Sequence, residues 1–254
     1  MRKLLAGILI IAFFTGCGLL SKNKKGNGSS ELEKWDKLLV LDYSGTYDVV
    51  GQDYEAKLTI KHADEHVYRM RWVSSDVDDI DDTLFAFGVE NDGYLGFVDS
   101  DSGDEWGIVG VYKRQGDKIT GLWGLIEGDL VLAQCSPGVG RMPLSYPNIE
   151  GRWKVNHLGV KNPYTFFMTI EENGNTWVIS QESEDGFIRV GMGMSVDQIL
   201  ITCFGMMDSK IITVYTIDGD KLYGRWAYQW VENESNRLNF ETGTEVANRQ
   251  KKGS

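Results

Sequence analysis

Ile108-Val-Gly-Val-Tyr-Lys-Arg-Gln-Gly-Asp-Lys-Ile-Thr-Gly-Leu-Trp123 returns later in the chain as Ile211-Ile-Thr-Val-Tyr-Thr-Ile-Asp-Gly-Asp-Lys-Leu-Tyr-Gly-Arg-Trp226. Tyr112, Gly116, Asp117, Lys118, Gly121 and Trp123 recur without a gap as Tyr215, Gly219, Asp220, Lys221, Gly224 and Trp226. The repeat extends towards the N-terminus: Gly45-Thr-Tyr47-Asp-Val49 answers Gly151-Arg-Trp153-Lys-Val155, and Leu58-Thr-Ile60 answers Met168-Thr-Ile170. A unit of ~100 residues is large enough to bury a core of its own. The chain therefore reads as a duplicated domain, with repeats over 43–141 and 148–248 and Pro143 and Pro147 between them.

Within each repeat, short runs rich in Val, Ile, Tyr, Trp, Phe and Thr alternate with Gly, Asp and Asn, the pattern of many strands. Leu58-Thr59-Ile60 and Tyr68-Arg69-Met70-Arg71-Trp72 place every second side chain on an apolar face. Repeat one offers strands at 46–50, 56–61, 67–73, 84–89, 94–98, 108–114, 118–124 and 129–133. Repeat two offers 152–156, 164–171, 176–181, 187–193, 199–204, 211–217, 221–230 and 237–246. A short helix is expected over Glu31–Leu41. Tight connections such as Asn91-Asp-Gly93 and Gly116-Asp-Lys118 favour sequential hairpins. The expected fold is all-β: two tandem eight-stranded antiparallel up-and-down barrels, with a pair of sandwiches as the alternative.

The N-terminus reads as an export signal over 1–16. Arg2 and Lys3 precede the apolar run Leu4–Phe14, which is shorter than the ~20 residues a membrane-spanning helix needs. Phe14-Thr-Gly-Cys17 resembles a bacterial lipobox, which implies acylation of Cys17 and a membrane partner through the lipid anchor. Gly18 is not acidic, which favours an outer-membrane address in the cell envelope. Residues 17–42 form a tether that contains the polar stretch Ser21–Ser30 and the expected helix. The net charge of −11 argues against nucleic acid as a partner. Cys135 and Cys203 fall at non-equivalent points of the repeats, so neither repeat carries a disulfide of its own; two buried free thiols are expected, with a bridge between the repeats as the alternative.

The series Gly45-x-Tyr47-x-Val49-x-Gly51, Tyr54, Leu58-Thr-Ile60, Tyr68-x-x-x-Trp72, Gly107-Ile-Val-x-Val-Tyr112 and Gly116-Asp-x-x-x-Gly121-x-Trp123 resembles short bacterial exported domains of the fibronectin-binding-like kind. Its Gly-x-Tyr/Trp opening is similar to that of lipocalin- and avidin-like barrels. The resemblance covers most of repeat one and the two ends of repeat two, where Gln181 stands in place of Trp72. It implies a barrel whose ligand mouth lies at one rim, and it speaks to fold more than to activity.

No nucleophile motif, phosphate loop or paired-cysteine zinc pattern is present, so a non-enzymatic binding role is expected. His62 and His66 bracket Ala-Asp-Glu in a hairpin turn, where they read as solvated residues, and His157 stands alone. In an up-and-down barrel, connections one, three, five and seven share one rim. In repeat one these hold Asp53, Glu55, Asp76, Asp78, Asp79, Asp81, Asp82, Asp99, Asp101, Asp104, Glu105, Glu127 and Asp129, with no Lys, Arg or His. Such a rim should attract a cation or a basic partner. Asp99-Ser-Asp101-Ser-Gly103-Asp104-Glu105 has the alternating oxygen ligands of a partial calcium loop, although Gly and Asp at its fifth and sixth positions depart from the EF-hand order. Trp72 and Trp106, with Asp76, Asp78, Asp79, Asp81 and Asp82, are the candidate contacts for a ligand or partner. Trp123, Trp153 and Trp226 belong to the repeated frame and are expected to plug the barrels. Three roles remain open: display of loops to a protein or matrix partner, a small-ligand or calcium receptor, or a structural envelope lipoprotein.

Overall fold

The computed structural model describes residues 38–50, 55–74, 83–99, 106–127, 134–137, 144–158, 163–206, 209–232 and 237–251. The signal segment, Cys17 and most of the tether lie outside these residues. Every element among the described residues is a strand. Leu38–Leu41, the described part of the expected helix, is non-helical, and the rest of that expectation lies outside the described residues.

Repeat one forms β1 (Gly45–Val50), β2 (Glu55–Asp64), β3 (Val67–Ser74), β4 (Thr83–Asn91), β5 (Tyr94–Asp99), β6 (Trp106–Gln115), β7 (Lys118–Glu127) and β8 (Gln134–Pro137). They pair in sequence order as one antiparallel sheet. The eighth strand lies just beyond its expected span of 129–133, which falls outside the described residues. Repeat two forms β9 (Gly151–Leu158), β10 (Thr165–Asn173), β11 (Thr176–Ser183), β12 (Ile188–Val196), β13 (Ile199–Met206), β14 (Ser209–Asp218), β15 (Lys221–Glu232) and β16 (Arg237–Arg249). These close into a barrel, with β16 paired to β9. Closure removes the exposed edges that an open sheet would present.

The repeated residues have a mechanical reason to recur. Tyr112 opposes Gly121 across β6 and β7, and Tyr215 opposes Gly224 across β14 and β15. A Cβ on Gly121 would stand 2.4 Å from the Tyr112 ring, and one on Gly224 would stand 2.6 Å from the Tyr215 ring. Each tyrosine thus lies flat across the neighbouring strand, and only glycine leaves room for it. Asn91-Asp92-Gly93 turns with Asp92 at φ 50° and Gly93 at φ 78°, both left-handed as the two-residue hairpin requires.

One end of each barrel is closed by the chain that enters it. Tyr43 is fully buried, and its hydroxyl donates to Gly93 O at 2.6 Å and accepts from Arg114 N at 3.0 Å. Ile149 takes the matching place before β9, with Trp153 Nε1 donating to its carbonyl at 2.9 Å. The other ends carry the long connections.

The two repeats do not stand as separate domains. Three apolar cores are present rather than two. One fills barrel one (Leu58, Met70, Trp72, Phe97, Tyr112) and one fills barrel two (Trp153, Met168, Ile179, Leu200, Tyr215). The third lies between them, where Phe87, Val89, Val98 and Val109 meet Met192, Met194, Ile201 and Val214. The sheets stay distinct, but β4 and β5 of the first pack face to face with β14 and β15 of the second. Cys203 is a free thiol in this seam, and burial pushes its pKa up to about 12. Cys135 lies on β8, and its side chain is outside the described set.

Polar contacts frame the seam. Glu90, fully buried, receives Arg225 at 3.2 Å, and His66 stands 3.5 Å from the same carboxylate. Asn91 Nδ2 donates to Val214 O at 2.8 Å and to Tyr223 O at 3.0 Å. Lys210 pairs with Asp99 at 2.7 Å. Tyr94 and Lys113 both bind Asp197, Lys113 at 2.9 Å. Together these contacts settle relative direction. Asp99 and Lys210 lie at the ends of β5 and β14 away from the plugs, whereas Asp197 sits in a tight turn at the plugged end of barrel two, facing the same end of barrel one. The barrels therefore lie side by side, with the ends opposite their Tyr43 and Ile149 plugs on one side.

Candidate functional site

Most of the acidic rim of repeat one, including Asp76, Asp78, Asp79, Asp81, Asp82, Asp101, Asp104 and Glu105, lies outside the described residues. Asp99 is described, and it is not a free ligand oxygen: it is 3% exposed and held by the Lys210 ammonium on both its carboxylate and its carbonyl. Among the described residues no three His, Cys, Asp or Glu side chains gather as a metal centre. His62 stays in its turn, with Nε2 2.8 Å from Glu65 O, while His66 is drawn to Glu90 and Arg225 at the seam.

Trp72, a candidate contact for a ligand or partner, is an interior residue. Strand alternation sets this: Tyr68, Met70 and Trp72 share the buried face of β3. Its indole packs 5.3 Å from Phe97, which stacks at 5.0 Å on Tyr112, and Trp72 Nε1 donates to the Tyr112 hydroxyl at 3.2 Å. This aromatic stack plugs the rim side of barrel one. Trp106 lies on β6, and its side chain is outside the described set. Trp153 and Trp226 do fill barrel two, while Trp123 is half-buried against the core of barrel one.

Barrel two differs on its rim side. His157 on β9 and Glu245 on β16 oppose each other in register, and His157 Nδ1 lies 2.8 Å from Glu245 Oε2. The other carboxylate oxygen accepts the Tyr215 hydroxyl from β14. Glu245 is 1% exposed and Tyr215 fully buried, so these hydrogen bonds replace water that neither group can reach. Burial lifts the Tyr215 hydroxyl well above its ordinary pKa, and the neighbouring Glu245 charge adds to this. The phenol thus stays protonated and acts as a donor. The His157 ring lies between Tyr164 at 4.5 Å and Trp226 at 4.4 Å, both stacked. Two further polar atoms are buried here without a partner among the described residues, Thr202 Oγ1 and Trp226 Nε1.

Sequence reasoning left His157 alone because its partners arrive from other strands, Glu245 from β16 and Tyr215 from β14. The available signal was parity: His157 continues Trp153 and Val155, and Glu245 precedes Ala247, each on an inward-facing position of its strand.

No family model matches the chain, and no curated protein matches it. A solved protein of unknown function from the DUF3598 family of Nostoc punctiforme is similar at 11% identity with a TM-score of 0.31, covering 81% of this chain and 94% of that chain.

Proposed function

We propose that this chain is a lipid-anchored envelope protein that binds a basic partner on the rim side of its two barrels, without catalysing a reaction. The observation that carries this reading is the shared direction of the barrels. The ends closed by Tyr43 and Ile149 face one way, so the strand ends opposite them also lie on one side. The sequence expects twelve carboxylates and no Lys, Arg or His on the corresponding rim of repeat one, besides Asp99, which Lys210 already holds. Like charges gathered on one surface repel each other and attract cationic groups, which speeds encounter with a basic segment and makes binding salt-sensitive. The lipobox-like Phe14-Thr-Gly-Cys17 supports the anchor, and the polar stretch Ser21–Ser30 supplies reach from the membrane.

The test uses the full chain and a fluorescent oligolysine peptide, read by anisotropy across a salt series. Saturable binding that weakens with salt is expected. It should fall about tenfold when Asp76, Asp78, Asp79, Asp81 and Asp82 are changed together to Asn. Equal binding by parent and variant refutes the basic-partner reading. Retention of radiolabelled palmitate by a Cys17→Ser variant refutes the anchor.

A further inference from the structure

We propose that the rim-side interior of barrel two is a binding site for a small, planar, uncharged molecule that carries both a hydrogen-bond acceptor and a donor on its edge. It is independent of the acidic face and rests on comparing the two halves of this chain.

The hairpin registers make the comparison residue by residue. Tyr112 opposes Leu95 and Phe97 opposes Gly110 in barrel one; Tyr215 opposes Leu200 and Thr202 opposes Thr213 in barrel two. Trp72 opposes Leu58, as Gln181 opposes Met168. The Trp72–Phe97–Tyr112 stack of barrel one therefore corresponds to Gln181, Thr202 and Tyr215. Two large rings have been exchanged for an amide and a hydroxyl on shorter side chains. Both remain inside: Gln181 is 8% exposed and Thr202 fully buried. Phe204, the nearest ring on β13, lies instead over Gly191, where a Cβ would be 2.5 Å from it.

An apolar stack replaced by polar groups makes physical sense only where those groups are used. In barrel one the only indole N–H of the stack is satisfied by Tyr112. In barrel two Thr202 Oγ1 and Trp226 Nε1 are both buried without a partner among the described residues, and an orphaned buried polar group costs about 1–3 kcal/mol. A ligand edge offering an acceptor to the indole N–H and either group to the hydroxyl would satisfy both. The surroundings suit a flat molecule: His157, stacked between Tyr164 and Trp226, has Phe166 6.2 Å away, and Phe204 belongs to the same core. Glu245, already holding Tyr215 and His157, places negative charge there and disfavours an anion. Entry is from the rim, where Tyr164 is 49% exposed, because Ile149 and Trp153 block the other end.

The test uses three probes of one shape on the full chain: benzamide, benzoate and toluene. Binding is followed by tryptophan fluorescence and by the shift in thermal midpoint. Benzamide should bind saturably and raise the midpoint, as ligand linkage requires. Benzoate and toluene should each bind about tenfold more weakly, the size of one lost hydrogen bond or one misplaced charge. Gln181→Trp, which restores the ring barrel one carries at Trp72, should remove benzamide binding. Thr202→Val, nearly identical in shape, should weaken benzamide about tenfold while leaving toluene unchanged, which separates a polar site from a mere void and decides the matter even where Gln181→Trp folds poorly. Equal affinity for benzamide and toluene, unchanged benzamide binding in Thr202→Val, or no saturable binding by any probe overturns the proposal. None of these results bears on oligolysine binding at the acidic face.

Discussion

Gly96 lies on the outward face of β5, where the two barrels meet, and its replacement by alanine measures how tightly that seam is closed. A Cβ at Gly96 would stand 2.4 Å from Val214 Cγ2 and 3.2 Å from Ile201 Cγ2. Carbon atoms rest at roughly 3.5–4.0 Å, so either the seam opens by about 1 Å or Val214 leaves its rotamer. Both routes are obstructed. Val214 is fully buried, its β-branched side chain has few rotamers, and Asn91 holds its carbonyl at 2.8 Å. Overpacking of this kind costs about 1–3 kcal/mol, and a loss of about 2 kcal/mol is expected for Gly96→Ala. The sign is informative, because in an unobstructed strand the same change stabilises by about 0.5–1 kcal/mol. Guanidinium unfolding followed by both circular dichroism and tryptophan fluorescence provides the measurement. Removing the obstacle completes it. Val214→Ala carries its own cavity cost of about 2 kcal/mol, but adding Gly96→Ala to it should cost almost nothing, giving a coupling of about 2 kcal/mol. A Gly96→Ala variant as stable as the parent, or a double variant whose losses simply add, would refute the packed seam.

Two further predictions follow from the same contacts. Cys203 should not react with Ellman's reagent at pH 8 in the native protein and should react fully in guanidinium, since burial raises its pKa to about 12; rapid native labelling would contradict its position in the seam. Hydrogen bonds from Lys113 and Tyr94 hold the Asp197 carboxyl below its ordinary 3.8, so the stability it contributes is present above that pH and is lost as the pH falls through the lower folded value. Asp197 is half exposed, which limits the effect to at most about 1 kcal/mol. Asp197→Asn should therefore be slightly less stable than the parent at pH 6 and equal to it near pH 2; a gap that persists at pH 2 would show that the charge is not responsible.

What could be read in the sequence depends on how far apart the interacting residues lie. Trp72 was legible as an inward residue from the alternation of β3, yet its partner Phe97 was not, because that stack joins strands separated by a further hairpin. Likewise Asp99 reads as a calcium-loop carboxylate when only its neighbours Asp101 and Asp104 are considered. Lys210, which claims it, comes from the other repeat. Glu90 and Arg225 tell the same story, since neither has an oppositely charged neighbour in its own strand to announce the pair.

The strands, their meander order and the duplication are legible in the chain alone. Those features rest on short-range rules: side-chain alternation, positive-φ turns such as Asp92-Gly93, and tyrosines that need a glycine opposite them. The docking of whole barrels sets the rest: the halves share a third core and point their plugged ends the same way. A strand such as β5, from Tyr94 to Asp99, is buried on both faces. Its continuous apolar run shows that both faces are covered, but not by what. The cover is supplied by Ile201 and Val214, whose positions depend on how a whole second barrel docks. The same holds for His157, Glu245 and Tyr215, which closure of barrel two brings together from three strands.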